Sequence, residues 1–191
     1  MRLETTSTGI QALDQIIGGG LLKGGVYIVQ GSAGTGKTIL ANQIAFNHVA
    51  AGGRVAYVTL LAESHARMIQ HMELFSFYVE NAIPGGMRYI SAFTELMKEG
   101  LPGVVEVLTN EMRQRKASLV VLDGLVTAAA ASQSPQDLKQ FIGQIQAIST
   151  LADCSTLLLN SSGSENSAGP EQTMVDGILV LRQHLVRSRH E

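Results

Sequence analysis

One stretch of the sequence has the residue types and spacing of a phosphate-binding loop. Residues 30–38 read QGSAGTGKT and contain the pattern G-x-x-x-x-G-K-T. Glycines let a backbone curl until successive N–H groups point at phosphate oxygens, and a helix beginning at the end of the loop adds its positive dipole end. We therefore expect a nucleoside triphosphate to bind to this loop, through Gly31, Ser32, Ala33, Gly34, Thr35, Gly36, Lys37, Thr38 and the adjoining Ile39.

Two side chains at the end of this motif carry most of its chemistry. Lys37 is expected to reach the β- and γ-phosphates, which makes it a candidate catalytic residue, and the Thr38 hydroxyl to complete the shell of a Mg²⁺ ion. An apolar run at residues 26–29 precedes the loop, and helix-forming residues follow it as far as Gly52. Strand, loop and helix in this order is the context that the motif requires, so a glycine-rich connector that binds nothing is disfavoured.

A second candidate metal ligand lies at the end of another apolar run. Residues 118–122 read SLVVL, and Asp123 follows directly. An Asp that ends an apolar strand, later in a chain that carries a phosphate loop, is typical of the Walker B strand. Its carboxylate faces the Mg²⁺ region, usually through water. The sequence therefore predicts that Thr38 and Asp123 hold Mg²⁺ and that Asp123 belongs to the nucleotide site.

The remaining elements predict the class of fold. Strand-like runs at residues 54–61, 87–91, 155–160 and 175–181 alternate with helical patterns, one of which begins at Ser134 and Pro135. This alternation predicts an α/β fold with a mostly parallel central sheet, flanked by helices on both faces, and a ligand at the carboxyl ends of the strands. Glu63, Asp123, Asn160 and Ser161 all fall at such ends, so Ser161 is included in the predicted nucleotide site.

Length and composition predict a single domain over residues 1–191. Its parts are an N-terminal helix and lead-in over residues 1–25 and a polar, mobile loop over residues 161–173. The chain is 45% apolar and 16% charged with a net charge of −2, which fits a globular protein and gives no indication of a nucleic-acid or membrane partner.

Targeting and redox features of the sequence predict a cytoplasmic location. The N-terminus has no signal pattern, and no apolar run approaches the roughly 18 residues that cross a bilayer. Cys154 is the single cysteine, so the chain has no intramolecular disulfide. We expect Cys154 to be a small buried hydrophobic residue rather than a nucleophile.

Taken in order, these motifs resemble the KaiC-type domain of the RecA-like P-loop ATPases. The similarity runs nearly end to end and is carried by residues 8–14 (TGIQALD), 18–21 (GGGL), the phosphate loop, 58–64 (VTLLAES), 120–123 (VVLD) and 169–182 (GPEQTMVDGILVLR). The resemblance implies a RecA-like P-loop NTPase fold with ATP and Mg²⁺ as cofactors. It also implies self-association in a ring, a hexamer, with ATP at the subunit interfaces.

The sequence departs from this family's pattern at the catalytic base. The family places two adjacent glutamates after the second strand, and one of them activates the attacking water. Here the pair reads Ala62 and Glu63, and Ala62 matches the glutamate that usually serves as the base. Either Glu63 is the base or hydrolysis is slow, because alanine cannot accept a proton. A structural alternative for Glu63 is an acid at a helix N-terminus.

A second departure concerns the basic finger that the family inserts into the neighbouring subunit. The family carries Lys-x-Arg-Gly on its last strand, where the cation stabilises transition-state charge. Here Arg187 and Arg189 match the turn before that strand, and the sequence ends at Glu191. We expect either that the chain is truncated before the finger strand or that its ring contacts differ. Arg187 and Arg189 are interpreted as a solvated tail.

Nucleic acid is a disfavoured partner. Residues 155–181, which include the loop that binds DNA in RecA-type recombinases, contain no Lys or Arg. Their charged residues are Glu165, Glu171 and Asp176, which would repel phosphates. The five histidines form no pattern that would hold zinc.

Four functions remain to be compared at this stage. The first is a Mg²⁺-dependent ATPase used in signalling or regulation, and the second a nucleotide-gated interaction module with little or no hydrolysis. Both require Lys37, Thr38 and Asp123, whereas Ala62 and the absent finger favour the second. A DNA recombinase is less favoured, and an autokinase would need an acceptor such as Ser161, Ser162 or Ser164. The pathway and any protein partner stay open.

Overall fold

The computed structural model describes residues 4–61, 65–161 and 173–183, and begins with a short hairpin that leads into the central sheet. Strand β1 (Thr5–Thr6) pairs antiparallel with β2 (Leu21–Leu22), and helix α1 (Gln11–Ile16) lies between them in the chain. The Asp14 carboxylate stabilises this lead-in, because it accepts hydrogen bonds from the hydroxyls of Ser7 and Thr8, both at 2.6 Å.

Six parallel strands form the central sheet in the described part of the chain. They are β3 (Val26–Gln30), β4 (Val55–Thr59), β5 (Met87–Ser91), β6 (Leu119–Asp123), β7 (Ser155–Asn160) and β8 (Gly177–Val180). Their order across the sheet is β5-β4-β6-β7-β3-β8. Since every described pair is parallel, the carboxyl ends of all six strands meet at one edge. This edge carries the candidate site.

Helices cover both faces of the sheet. Helix α2 (Lys37–Ala50) and α3 (His65–Met72) pack on one face, and α4 (Phe93–Glu99), α5 (Leu101–Arg113), α6 (Leu125–Ala131) and α7 (Pro135–Ala152) pack on the other. Strand residues alternate between the two cores: Val120 and Leu122 face α4 to α7, and Val121 faces α2. Buried strands between two helical layers account for the nearly continuous apolar runs in the sequence.

The predicted α/β fold with a parallel sheet and helices on both faces is confirmed. Two helices were absent from the sequence-based prediction: α4, and α6 with its run of alanines, which carries little hydrophobic periodicity. The β1–β2 hairpin was also absent from it. Helix α5 begins at Leu101, with Pro102 in its first turn. No helix in the described ranges is both long and apolar enough to cross a bilayer.

The predicted cap of α7 is present, and it gives the first testable prediction. The Ser134 hydroxyl accepts a hydrogen bond from the Asp137 N–H at 3.2 Å, and Asp137 Oδ2 accepts one from the Gln133 N–H at 3.0 Å. We expect Ser134→Ala to lower the free energy of unfolding by about 1 kcal/mol and the Tm by about 2–4 °C. Thermal unfolding measures this. The control is the exposed first-turn change Gln136→Ala, and equal Tm values for the two variants would contradict the prediction.

Candidate functional site

The glycines of the phosphate loop adopt backbone conformations that other residues disfavour. The loop connects β3 to α2, and Gly34 and Gly36 have φ angles of 79° and 91°. A Cβ atom at either position would meet no atom within 4 Å, so the space beside these two glycines is open. Left-handed glycines beside a helix N-terminus turn backbone N–H groups inward, and such a cradle fits an anion.

Hydrogen bonds connect the phosphate loop to the ends of the neighbouring strands β7 and β8. The Gly31 N–H donates to the Asn160 carbonyl at 3.3 Å, and the Leu181 N–H donates to the Gln30 carbonyl at 2.8 Å. A Cβ on Gly31 would lie 2.6 Å from the Leu181 carbonyl oxygen, so the chain after β8 requires glycine there. The Gln183 side-chain amide donates to the Gly34 carbonyl at 2.9 Å. The loop is thus supported by two segments that are distant in sequence, the end of β7 and residues 181–183 after β8.

The Lys37 ammonium lies at the mouth of this loop. Its Nζ donates to the carbonyls of Gly31 at 2.8 Å and Ser32 at 2.7 Å, and the side chain is almost fully buried. Burial lowers the pKa of the Lys37 ammonium, while the nearby Asp123 carboxylate raises it. An ammonium group has three donors, so it can serve a phosphate oxygen at the position where α2 presents its N-terminus.

Thr38 and Asp123 come together across the sheet edge as predicted. The Thr38 hydroxyl donates to Asp123 Oδ2 at 3.2 Å, although the two residues are 85 positions apart in sequence. Burial raises the pKa of the Asp123 carboxyl, and this is opposed by hydrogen bonds from Tyr57 and Thr38 and by the charge of Lys37. A carboxylate beside a hydroxyl, next to an anion cradle, fits Mg²⁺, which usually keeps several waters and uses one or two protein carboxylates.

Two tyrosines that the motifs did not indicate make hydrogen bonds near this pair, and one of them contacts it directly. The Tyr57 hydroxyl donates to Asp123 Oδ2 at 3.1 Å. The Tyr89 hydroxyl donates to Asn42 Oδ1 at 2.6 Å, and the Asn42 amide donates to the Thr38 carbonyl at 2.8 Å. Each tyrosine contacts a residue on a different helix or strand, so these two contacts could be predicted only from the arrangement of the elements in the fold.

A cavity of about 640 Å³ adjoins the Thr38–Asp123 pair. Ile39, also a predicted nucleotide-site residue, lines it, as do Thr59, Arg67 and Phe75. His65 is a further lining residue whose Nε2 lies 2.8 Å from the Thr59 hydroxyl oxygen, and burial lowers the pKa of its imidazole. The cavity therefore lies at the end of β4, where α3 begins.

Several predicted residues lie outside the described ranges or apart from these contacts. Glu63, with Ala62, lies outside the described residues, as do Ser162, Ser164, Arg187 and Arg189. Ser161 is described and exposed, directly after β7, and Asn160 before it makes the contact to Gly31. Of the predicted loop 161–173, only its two ends are described. The roles of Glu63 and Ser161 stay predictions.

The single cysteine has a structural environment. Cys154 is fully buried, and burial raises the pKa of its thiol to about 12. A thiol that stays protonated at neutral pH is a poor nucleophile. Within the described ranges, no group of three or more His, Cys, Asp or Glu side chains is arranged to hold a metal ion. The Thr38–Asp123 pair is a different kind of site, because it combines one carboxylate with a hydroxyl.

The buried charge of Asp123 gives the second prediction. Since burial raises the pKa of this carboxyl, its ionised form opposes folding at neutral pH, and the penalty disappears below the pKa of about 3.9 of an unfolded Asp. Asp123→Asn keeps an acceptor for Tyr57 and Thr38 without the charge. We expect its Tm in Mg²⁺-free buffer to exceed that of the wild type at pH 7, by a margin that narrows as the pH falls.

The matched control for this prediction is Asp176→Asn. Asp176 is exposed and accepts a hydrogen bond from the Val26 N–H at 2.8 Å. Removal of its charge should not raise the Tm, because an exposed carboxylate keeps its hydration. Thermal unfolding from pH 5 to pH 8 measures both variants. A lower Tm for Asp123→Asn than for the wild type at pH 7 would contradict the prediction.

Comparisons with known proteins show which sequences the chain resembles. The family model described as "ATPase: KaiC" matches residues 6–191. A UPF0273 protein of Thermotoga maritima is 26% identical over 196 residues, which cover 94% of this chain and 80% of the relative. A UPF0273 protein of Pyrococcus horikoshii is 28% identical over 191 residues, which cover 91% of this chain and 76% of the relative.

A longer relative is the circadian clock oscillator protein KaiC of Thermostichus vulcanus. It is 26% identical over 187 residues, which cover 95% of this chain and 35% of the relative. The chain therefore spans about a third of that protein's length. The matched region includes the phosphate loop, the Thr38–Asp123 pair and the end of β4.

Proposed function

The chain belongs to the KaiC ATPase family, and on that premise we propose that it binds and hydrolyses Mg·ATP. The observation that carries the proposal is the meeting of three groups at one sheet edge: the open glycine loop, the Lys37 ammonium and the Thr38–Asp123 pair. An ATPase domain accounts for all three.

In this proposal each group of residues has one task. The N–H groups of residues 31–38 bind the phosphates, and Ile39 and Ser161 contact the nucleotide. Lys37 neutralises charge on the β- and γ-phosphates, and Thr38 and Asp123 hold Mg²⁺, Asp123 through water. Bound Mg²⁺ withdraws charge from the phosphate oxygens. Glu63 accepts the proton of the attacking water.

We further propose that the protein acts as a self-associating assembly in signalling or regulation. The assembly is a hexameric ring with ATP bound between neighbouring subunits. Each subunit consists of one domain over residues 1–191, and the protein is located in the cytoplasm. The absence of Lys and Arg from residues 155–181 supports a protein partner over nucleic acid.

Calorimetric titration with ATP tests the nucleotide site. Saturable binding with one nucleotide per chain, tightened by Mg²⁺, supports the proposal. Absence of binding by the folded chain in both Mg²⁺ and EDTA contradicts it. Light scattering after size exclusion, with and without Mg·ATP, tests the assembly, and a monomer under both conditions contradicts that part.

A second candidate function is a nucleotide-gated interaction module with little or no hydrolysis. The observation that favours it is Ala62, which stands where the family usually has the base. In this alternative, ATP holds the assembly together, and its turnover has no role. ATP-dependent assembly without phosphate release supports the module, whereas release at a steady rate supports the ATPase.

A further inference from the structure

Tyr57 combines complete burial with a polar contact that packing does not require. It lies in the middle of β4, its side chain has 0% exposure, and its hydroxyl donates to Asp123 Oδ2 at 3.1 Å. Burial raises the pKa of the phenol well above its ordinary value, so the hydroxyl keeps its proton. A phenylalanine would fill the same space without a hydroxyl to desolvate. The presence of the Tyr57 hydroxyl is therefore explained by its hydrogen bond to Asp123.

The sheet places this hydroxyl below the end of β6. Strands β4 and β6 are neighbours, and Tyr57 lies opposite Val121, two residues before Asp123. Side chains two residues apart along a strand share a face, so Tyr57 reaches Asp123 diagonally across the pair. The Tyr57 ring packs on Tyr89 with the centroids 5.3 Å apart. This packing fixes the direction of the phenol.

The two donors to Asp123 orient its carboxylate. The hydrogen bonds from Tyr57 and from Thr38, at 3.1 and 3.2 Å, both end on Oδ2. When both donors hold one oxygen, the carboxylate plane cannot rotate freely. The Thr38 hydroxyl donates its hydrogen bond to Asp123, so the lone pairs of its oxygen stay available to a cation. Hydrogen-bond partners of this kind set the orientation of metal ligands.

We propose that Tyr57 is a positioning residue of the metal site, which holds the Asp123 carboxylate in the orientation that binds a divalent cation. This inference rests on the proposed function, because it assigns the cation to Thr38 and Asp123. It goes further in that it predicts which residue sets the affinity for the cation. Tyr57 itself touches neither cation nor nucleotide.

Tyr89 provides a matched control within the same aromatic pair. Its ring is half-buried, and its hydroxyl donates to Asn42, which supports the Thr38 backbone. Tyr57→Phe and Tyr89→Phe therefore each remove one hydrogen-bonded hydroxyl from adjacent rings. A general loss of packing would affect both variants alike, and a role in orienting Asp123 would affect only the first.

The experiment measures Mn²⁺ binding by electron paramagnetic resonance in the presence of ATP, together with ATP affinity in EDTA. We expect Tyr57→Phe to weaken Mn²⁺ binding by about 10–100-fold and to leave ATP affinity in EDTA within about twofold of the wild type. Tyr89→Phe should change Mn²⁺ binding by less than about threefold. Excess Mg²⁺ should restore phosphate release by Tyr57→Phe.

Circular dichroism and thermal unfolding establish that both variants are folded. Equal Mn²⁺ affinity for folded Tyr57→Phe and the wild type would overturn the inference, as would an equal loss in the two variants. Failure of the proposed function is distinguishable, because the wild type would then bind no ATP even in EDTA. Normal ATP binding with an unchanged Mn²⁺ affinity in Tyr57→Phe leaves the proposed function intact.

Discussion

Lys37→Ala should abolish measurable ATP binding. The ammonium is the cation at the mouth of the loop, within hydrogen-bond distance of the Gly31 and Ser32 carbonyls. In the proposed complex, Lys37 donates to oxygens of the β- and γ-phosphates. Loss of these two hydrogen bonds between charged groups, at about 1.5–3 kcal/mol each, weakens affinity by about 10²–10⁴-fold. Competition against a fluorescent ATP analogue measures the loss.

The control for this prediction is Lys139→Ala, an exposed lysine on α7. It removes the same charge from the protein, so any general effect of net charge on nucleotide binding appears in both variants. The fold should tolerate Lys37→Ala, because burial already disfavours the ammonium at this position. ATP affinity equal to that of the wild type in folded Lys37→Ala would show that the loop is not the nucleotide site.

Glu63→Gln should retain ATP binding and lose most phosphate release. Glutamine keeps the size and the hydrogen-bonding capacity of the side chain but cannot accept the proton of the attacking water. General-base catalysis contributes about 10²–10⁴-fold, so release at saturating Mg·ATP should fall by that factor. Steady-state phosphate release and calorimetric ATP binding, measured on the same preparation, test both halves of the prediction.

Glu73→Gln is the matched control, since Glu73 follows α3 and is exposed. It should release phosphate at the wild-type rate. If Glu63→Gln also turns over at that rate, Glu63 is not the base, and its presence before α3 is explained by the helix dipole alone. Equal losses in both variants would indicate a general effect of removing acidic charge near α3.

The phosphate loop could be predicted because its chemistry is local. The whole motif lies within residues 30–38, and the spacing of its glycines, Lys37 and Thr38 is enough to indicate phosphate binding. Asp123 could be predicted for a similar reason, since an apolar run ending in a carboxylate is visible in the sequence. Its contact with Thr38 followed from the expectation that parallel strands end at one edge.

The contacts that support the site could not be predicted in the same way. Tyr57 reaches Asp123 only because β4 neighbours β6, and a sequence pattern does not give the order of strands. Likewise, Gly31 must be glycine because Leu181 returns beside it from the end of the described chain. Helix α6 was not predicted because its run of alanines does not show the alternation of apolar and polar residues that marks an amphipathic helix.

The site contains two buried charges that oppose folding. Burial lowers the pKa of the Lys37 ammonium and raises that of the Asp123 carboxyl, so each ionised group is less favourable in the fold than in water. Their opposite charges offset each other in part. Groups with perturbed pKa values in a cleft are typical of functional sites, which agrees with a site that phosphates and a cation complete.

Steady-state phosphate release from Mg·ATP by the purified chain, with EDTA and Lys37→Ala as references, tests the proposed ATPase most directly. We expect release that saturates with ATP, requires Mg²⁺ and disappears in Lys37→Ala. A folded wild-type chain that binds Mg·ATP without releasing phosphate would contradict the proposed ATPase and favour the nucleotide-gated module. Release that persists in Lys37→Ala would place the activity outside this loop.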